Sequence, residues 1–239
     1  MSLVVPVYNE EKVLMGNISR LCSFLVATGY TFEIIIANNG STDGTHQSAL
    51  QLARRFREVR VMHLEQKGRG RALKEAWAKW SSSAANVLAY MDVDLSTDLE
   101  AFPALVDPLV EGGYDLAAGS RLLAPWRTER GLRREFISRA YNRLVKAAFR
   151  TRFSDAQCGF KAITATAAAR LLPLVEDDGW FMDTELLVLA EKLGFRIFDL
   201  PVRWTESTDS RVKILSTAWQ DLKGILRLLS NLANNRYRL

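Results

Sequence analysis

Three features of this 239-residue chain predict an α/β fold with a mainly parallel, doubly wound sheet. Apolar runs of strand length alternate with helical patterns through the first half, and those runs are apolar throughout rather than every second residue. The polar residues that interrupt the pattern fall at the carboxyl ends of the runs: Asn9-Glu10, Asn38 to Ser41, Asp92 and Asp94, and Ser120-Arg121. A strand covered by helices on both faces has no solvent side, so it needs no alternation, and ligands of such sheets bind beyond the strands' carboxyl ends.

In chain order, SLVVPVY precedes a helix from about Glu10 to Ala27, with Asn9 as its expected cap. FEIIIAN leads through a turn at Asn39-Gly40 into DGTHQSALQLARRFR, and VRVMHL leads into RGRALKEAWAKWS. NVLAYMDVD precedes DLEAFPALVDPLVEG, and YDLAAGSR closes the regular part. A loop with Pro125 and Gly131 then opens a basic helix from about Glu135 to Arg150. GFKAIT, ATAAARLLPLV, GWFMDTELLVLAEKLG, RIFDLPVRW and a helix from about Ile214 to Leu232 complete the chain. With no repeat and no low-complexity linker, the expectation is a catalytic domain over 1–213 and a basic amphipathic helix over 214–239.

A composition that is 48% hydrophobic supplies a sizeable core. Cys22 and Cys158 lie far apart, so neither a disulfide framework nor a zinc site is predicted and a reducing compartment is expected. The chain enters a strand at Leu3 with no secretory pattern, and no run reaches the roughly 18 apolar residues of a membrane span. The net charge of +5 is concentrated between Arg127 and Arg152 and from Arg211 onward, which favours an anionic partner.

Asp92 and Asp94 close an apolar strand. They either cap the next helix or hold a divalent ion, Mg²⁺ or Mn²⁺, together with diphosphate oxygens; if the strand stays extended, residues two apart face the same way. In NNGSTDGT, a turn and cap account for Ser41 to Asp43 and leave the Asn38 and Asn39 amides for a nucleotide base. Gly68 and Gly70, with Lys67, Arg69 and Arg71, open a helix: an exposed basic start or a phosphate site, but not a P-loop, since Gly-Lys-Ser/Thr is missing. The helices from about Phe136 to Phe149 and Ile214 to Leu232 either pack on the sheet or lie in a membrane interface.

In order and over nearly the whole chain, these segments resemble glycosyltransferase family 2. PVYNEE, NNGSTDGT and the Asp92/Asp94 pair match its motifs, and SDAQCGFKAI, WFMDTELL and PVRWTESTDSRVKI resemble its polyprenyl-phosphate branch, nearest the dolichyl-phosphate glucosyltransferases and related to the mannose synthases. The resemblance implies a GT-A fold and inverting transfer of one hexose, from UDP-glucose in preference to GDP-mannose, to a polyprenyl phosphate at the cytoplasmic face of a membrane. It implies donor contacts from Pro6, Tyr8, Glu10, Asn38, Asn39, Ser41, Lys67, Gly68, Arg69, Arg71 and Asp92, with the metal on Asp92, Asp94 and Ser96. Arg121, Arg134, Ser138, Arg203, Arg211 and Lys213 are expected at the acceptor phosphate, and Asp155, Gln157 and Lys161 in the floor. Asp94, Asp183 and Glu185 are expected in catalysis, the last two orienting sugar or acceptor or serving as base. A phosphate monoester with a second pKa of about 6 is largely dianionic at neutral pH and needs little help from a base.

Asn38 and Asn39 depart from the family's aspartates, Ser96 stands where mannose synthases often have glutamine, and Leu200 breaks the processive Gln-x-x-Arg-Trp element. A nucleotidyltransferase would need a glycine-rich start after the first strand, which PVYNEE lacks. A basic membrane- or nucleic-acid-binding module leaves the carboxylates without a role, and nucleic acid is not the expected partner. His46, His63 and Cys158 receive no chemistry.

Overall fold

The computed structural model describes residues 1–80, 85–124, 128–129, 131–205 and 214–237. Its strands are β1 Ser2–Val7, β2 Glu33–Asn39, β3 Val59–Leu64, β4 Val87–Met91, β5 Leu116–Ser120, β6 Thr128–Glu129, β7 Phe160–Thr164, β8 Ile197–Pro201 and β9 Trp204–Thr205. The helices are α1 Glu11–Thr28, α2 Thr45–Arg55, α3 Arg69–Trp80, α4 Phe102–Val110, α5 Leu132–Phe149, α6 Ala165–Leu171, α7 Met182–Lys192 and α8 Ile214–Ala233.

Seven strands form one sheet in the order β3-β2-β1-β4-β7-β5-β8, while β6 and β9 form a short parallel pair. The first four in that order run parallel, as does β5 with β8. Strand β7 is antiparallel to both β4 and β5, so the sheet is mixed at its centre. FKAIT carries nothing that sets its direction, which comes from the route the chain takes around α5. The reversal brings the start of β7 beside the end of β4, pairing Met91 with Phe160. Residues 155–159 thus join the same rim as Asp92 and Asp94.

The central strands β1, β2, β4 and β5 are buried on both faces, as their composition requires, while the edge strands β3 and β8 are partly exposed. Ile34 and Ile36 pack on one side with Leu14, Ile18, Leu25 and Phe102, whereas Ile35 packs on the other with Leu73, Trp77, Phe149 and Leu186. Helix α8 is seated in the second cluster through Ile225 and Leu228. Asn9 does not cap α1: it takes a φ of 56°, and Glu10 occupies the cap position. Among the described residues, no helix is long and apolar enough to cross a membrane.

Candidate active site

The carboxyl ends of β1, β2, β4 and β5 and the start of β7 meet along one rim. Strand β4 stops at Met91, so Asp92 and Asp94 lie in a turn and not on an extended strand. Val93 is buried in the core between them, and Leu95 takes a φ of 51°, a conformation bulky residues rarely adopt. The turn still brings the two carboxylates together. With Ser96, Thr97, Gly159 and Trp204 they line a cavity of about 10 Å³, room for a single ion or water.

The donors around this cavity suit a hard divalent cation. The Ser96 hydroxyl is buried and has no hydrogen-bond partner among the described residues, while its backbone N–H donates to Asp94 Oδ1 at 3.0 Å. Desolvation by the surrounding protein, and then the Asp92 charge, push the Asp94 pKa up. Among the described residues, no group of three or more His, Cys, Asp or Glu side chains is arranged to hold a metal ion. The remaining ligands of such an ion would therefore be water and diphosphate oxygens.

Asp92 is set by two neighbours. Its N–H donates to the Gly159 carbonyl at 3.1 Å, and Arg69 Nη2 reaches its Oδ1 at 2.9 Å. A Cβ at position 159 would stand 1.7 Å from Asp92 Oδ2. Because the clashing atom ends a flexible side chain, Gly159→Ala is expected to fold but displace that carboxylate. Mn²⁺ titration should show affinity weakened by at least about tenfold, with little change in Tm.

Arg69 bridges Asp92 and the buried Asp183, whose Oδ2 it meets at 2.7 Å, and it lies beside the rings of Tyr90 and Trp180. Lys161 Nζ approaches Asp183 Oδ1 at 3.2 Å, and the Tyr90 hydroxyl donates to the same oxygen. Burial alone would raise the Asp183 pKa, but Lys161, Arg69 and the Tyr90 hydrogen bond outweigh it and hold the carboxyl below its ordinary value. A carboxylate so engaged is a weak base, and its evident effect is to aim Arg69.

Several expected contacts are turned inward. Asn38 is fully buried, with Nδ2 2.9 Å from His63 Nδ1 and Oδ1 accepting from the Ser41 N–H. Asn39 Oδ1 accepts from the Gly68 N–H at 2.7 Å, and Ser41 Oγ accepts from the Asn9 N–H. Both amides build the turn rather than face a base, because they sit on the last residues of a buried strand. The hydroxyl of Thr45 receives the Glu10 N–H at 2.7 Å. Lys67 stands 3.7 Å from the centre of the Tyr8 ring, beyond the partly exposed Pro6 at the end of β1, and remains exposed. Arg71, expected at phosphate, is paired with Asp178 at 3.0 Å.

Glu185, expected beside sugar or acceptor, is fully buried behind this rim. Its Oε2 accepts from the N–H groups of Glu176 and Asp177 and from Arg227 of α8, which fixes the segment bearing Asp178 and Trp180. Arg121 is likewise engaged: Asp155 takes its Nε at 2.7 Å and its Nη2 at 2.9 Å. Burial would raise the Asp155 pKa, but Arg121 first, and Lys161 after it, bring it down to about 2. Arg134 and Ser138 lie in the first two turns of α5, which follows β6 in the chain, and Arg203 is exposed immediately before β9. Arg211 and Lys213 lie outside the described residues.

The sequence reading missed Gly159, Trp180, Asp178, Arg227 and Asp221. Asp221 was detectable: it stands four and seven residues before the buried Ile225 and Leu228, on the packed face of α8. Burial pushes its pKa up to about 6.

The class of protein is a glycosyltransferase with the GT-A fold. Glucosyl-3-phosphoglycerate synthase from Mycobacterium tuberculosis, solved with Mn²⁺, UDP-glucose and phosphoglyceric acid, shares the fold at a TM-score of 0.72, covering 96% of this chain and 79% of that chain at 20% identity. More particularly, the chain belongs to glycosyl transferase family 2, whose profile matches residues 2–172. The glycosyltransferase AglD of Haloferax volcanii is 38% identical over 92% of this chain and 37% of its own length. The dolichyl-phosphate beta-glucosyltransferase of Mus musculus is 32% identical over 89% of this chain and 69% of its own length. The Drosophila melanogaster enzyme of the same name is 30% identical with the same two coverages, 89% and 69%. The chain therefore spans little over a third of AglD and about two thirds of the glucosyltransferases.

Proposed function

We propose that this protein transfers a single hexose, with inversion, from a nucleotide sugar to a polyprenyl or dolichyl phosphate, with UDP-glucose as the favoured donor. The observation that carries this is the ion-sized cavity between Asp92 and Asp94 at the strand ends, in a chain whose relatives are dolichyl-phosphate glucosyltransferases. Tyr8 and Lys67 offer a ring and a cation to the nucleotide, and Arg69 adds positive charge beside Asp92. Asp92, Asp94 and Ser96 would hold Mg²⁺ or Mn²⁺, which when bound supplies charge against the departing nucleoside diphosphate.

On the acceptor side, an oxygen of the phosphate dianion forms the new bond to the anomeric carbon as the bond to the diphosphate breaks. We assign the exposed Arg203 before β9 and Arg134 and Ser138 at the start of α5 to the dianion, and Arg121 holds the floor through Asp155. Donors tested with Mn²⁺ or Mg²⁺ and a polyprenyl phosphate should give glycolipid from UDP-glucose. Asp92→Asn and Asp94→Asn should each lower the rate by at least about 100-fold. No product from any donor, with nucleotide-sugar binding unchanged in both variants, would show the assignment to be wrong.

A lipid acceptor asks for a membrane-facing surface, and the chain carries suitable side chains. Phe136 on α5 is 73% exposed, Trp219 and Leu226 on α8 are 60% and 59% exposed, and Lys223 lies beside the Trp219 ring. These side chains support a peripheral seat on a membrane, and the cytoplasmic face is the one the family resemblance implies. Trp219→Ser with Leu226→Ser should reduce sedimentation with anionic vesicles severalfold, and added salt should weaken the unmodified protein's binding. Equal sedimentation of both proteins would remove α8 from the membrane contact.

A further inference from the structure

The turn from Asp155 to Gly159, which seats Asp92, is tied to a different element at almost every residue. Asp155 is ion-paired with Arg121 at 2.7 Å, and the Ala156 N–H donates to Asn142 of α5 at 2.8 Å. The Cys158 carbonyl accepts from Lys161 Nζ at 2.6 Å, and the Gly159 carbonyl accepts from the Asp92 N–H. Gln157 reaches α8: its Nε2 donates to Asp221 Oδ2 at 2.9 Å.

Asp221 is an unusual residue to find there. It is 4% exposed, its Oδ1 has no hydrogen-bond partner among the described residues, and the carboxylates of Asp177 and Asp183 disfavour its charge. Tyr141 of α5 also lies within its field, though that hydroxyl is bonded to Thr184. Seating α8 does not depend on it, because Ile225 and Leu228 supply apolar contact and Arg227 binds Glu185 at 2.9 Å. A carboxyl buried against this cost, facing the floor of the rim, is best explained by what it holds.

We propose that Asp221 is a positioning residue for the donor and metal site, acting through Gln157 on the turn against which Asp92 rests. This builds on the assignment of Asp92 to the metal. Asp221 touches no reacting atom; it limits where the Gln157 side chain, and with it the Cys158-Gly159 backbone, can move. Helix α8 thereby becomes part of the site.

The test is calorimetric titration of the full chain with Mn²⁺ and UDP, with Tm measured in parallel, for Asp221→Ala, Gln157→Ala, the double variant and Asp221→Asn. Each alanine variant should weaken binding about tenfold, and the double variant should be no worse than about twofold below either, since both remove one contact. Asp221→Asn keeps an acceptor for Gln157 and should stay within about threefold of the unmodified protein. Alanine variants that bind like the unmodified protein, or losses that multiply to about 100-fold in the double variant, would overturn the proposal. Should Asp221→Ala fail to fold, Gln157→Ala and Asp221→Asn decide the matter by the same criteria. Failure of the unmodified protein to bind Mn²⁺ and UDP would overturn the donor-site assignment and this proposal together, whereas intact binding unaffected by the variants overturns only the latter.

Discussion

Asp183→Asn is expected to damage both stability and transfer, with a loss of about 3–5 kcal/mol in unfolding free energy, the usual cost of stripping one partner from a buried ion pair. The carboxylate is fully enclosed, and it balances Arg69 at 2.7 Å and Lys161 at 3.2 Å. An amide keeps the shape but loses the charge, and its NH₂ must face a cation or the Tyr90 hydroxyl in place of one oxygen. Lys161 would then lose its paired carboxylate, and Arg69 would keep only the more exposed Asp92. At roughly 2–4 °C per kcal/mol for a domain of this size, Tm should fall by about 6–20 °C. Arg69 would also lose the group that aims it at Asp92, so sugar transfer should drop even where the fold survives. A double cycle with Lys161→Met should show coupling of at least about 1 kcal/mol. Additive losses would mean the two residues stabilise the protein independently.

Asp155→Asn should have an effect of similar size, and it adds a pH dependence with a definite sign. Asp155 is fully buried and grips Arg121 with both oxygens, so its folded pKa lies at about 2, below the usual carboxylate value. Between about pH 4 and pH 2 the unfolded chain therefore binds the proton more readily, and stability falls as pH falls. The group's full contribution is present above about pH 4 and amounts to roughly 2 kcal/mol. Denaturant unfolding followed from pH 5 to pH 2.5 should show that decline in the unmodified protein. In Asp155→Asn the decline should be shallower and the stability at pH 5 already lower by about 3–5 kcal/mol. Equal slopes for the two proteins would assign acid sensitivity to other carboxylates.

Much of this molecule is legible along the chain because its central strands are buried on both faces. A run such as Ile34-Ile35-Ile36 has no place except between two helical layers, and a carboxylate or asparagine at its end has no place except the rim. Periodicity also located α5 and α8 to within three residues at either end. Asp92, Asp94 and Ser96 were visible for the same reason: charged and hydroxyl groups closing an apolar run must leave the core.

The folded arrangement alone decided which polar groups face a ligand and which face each other. The pattern offers Asn38, Asn39, Arg71, Arg121 and Glu185 as free groups, yet each finds a partner distant in sequence. Those partners are His63, Gly68, Asp178, Asp155 and the 176–177 backbone with Arg227. Likewise, nothing in FKAIT declares that β7 runs antiparallel, although that reversal is what carries Gly159 under Asp92. The physical reason is common to all of these. Hydrophobic patterning reports which side of an element leaves water, a local and periodic property. Ion pairs and hydrogen bonds depend on ångström distances between elements, which exist only once the chain has closed.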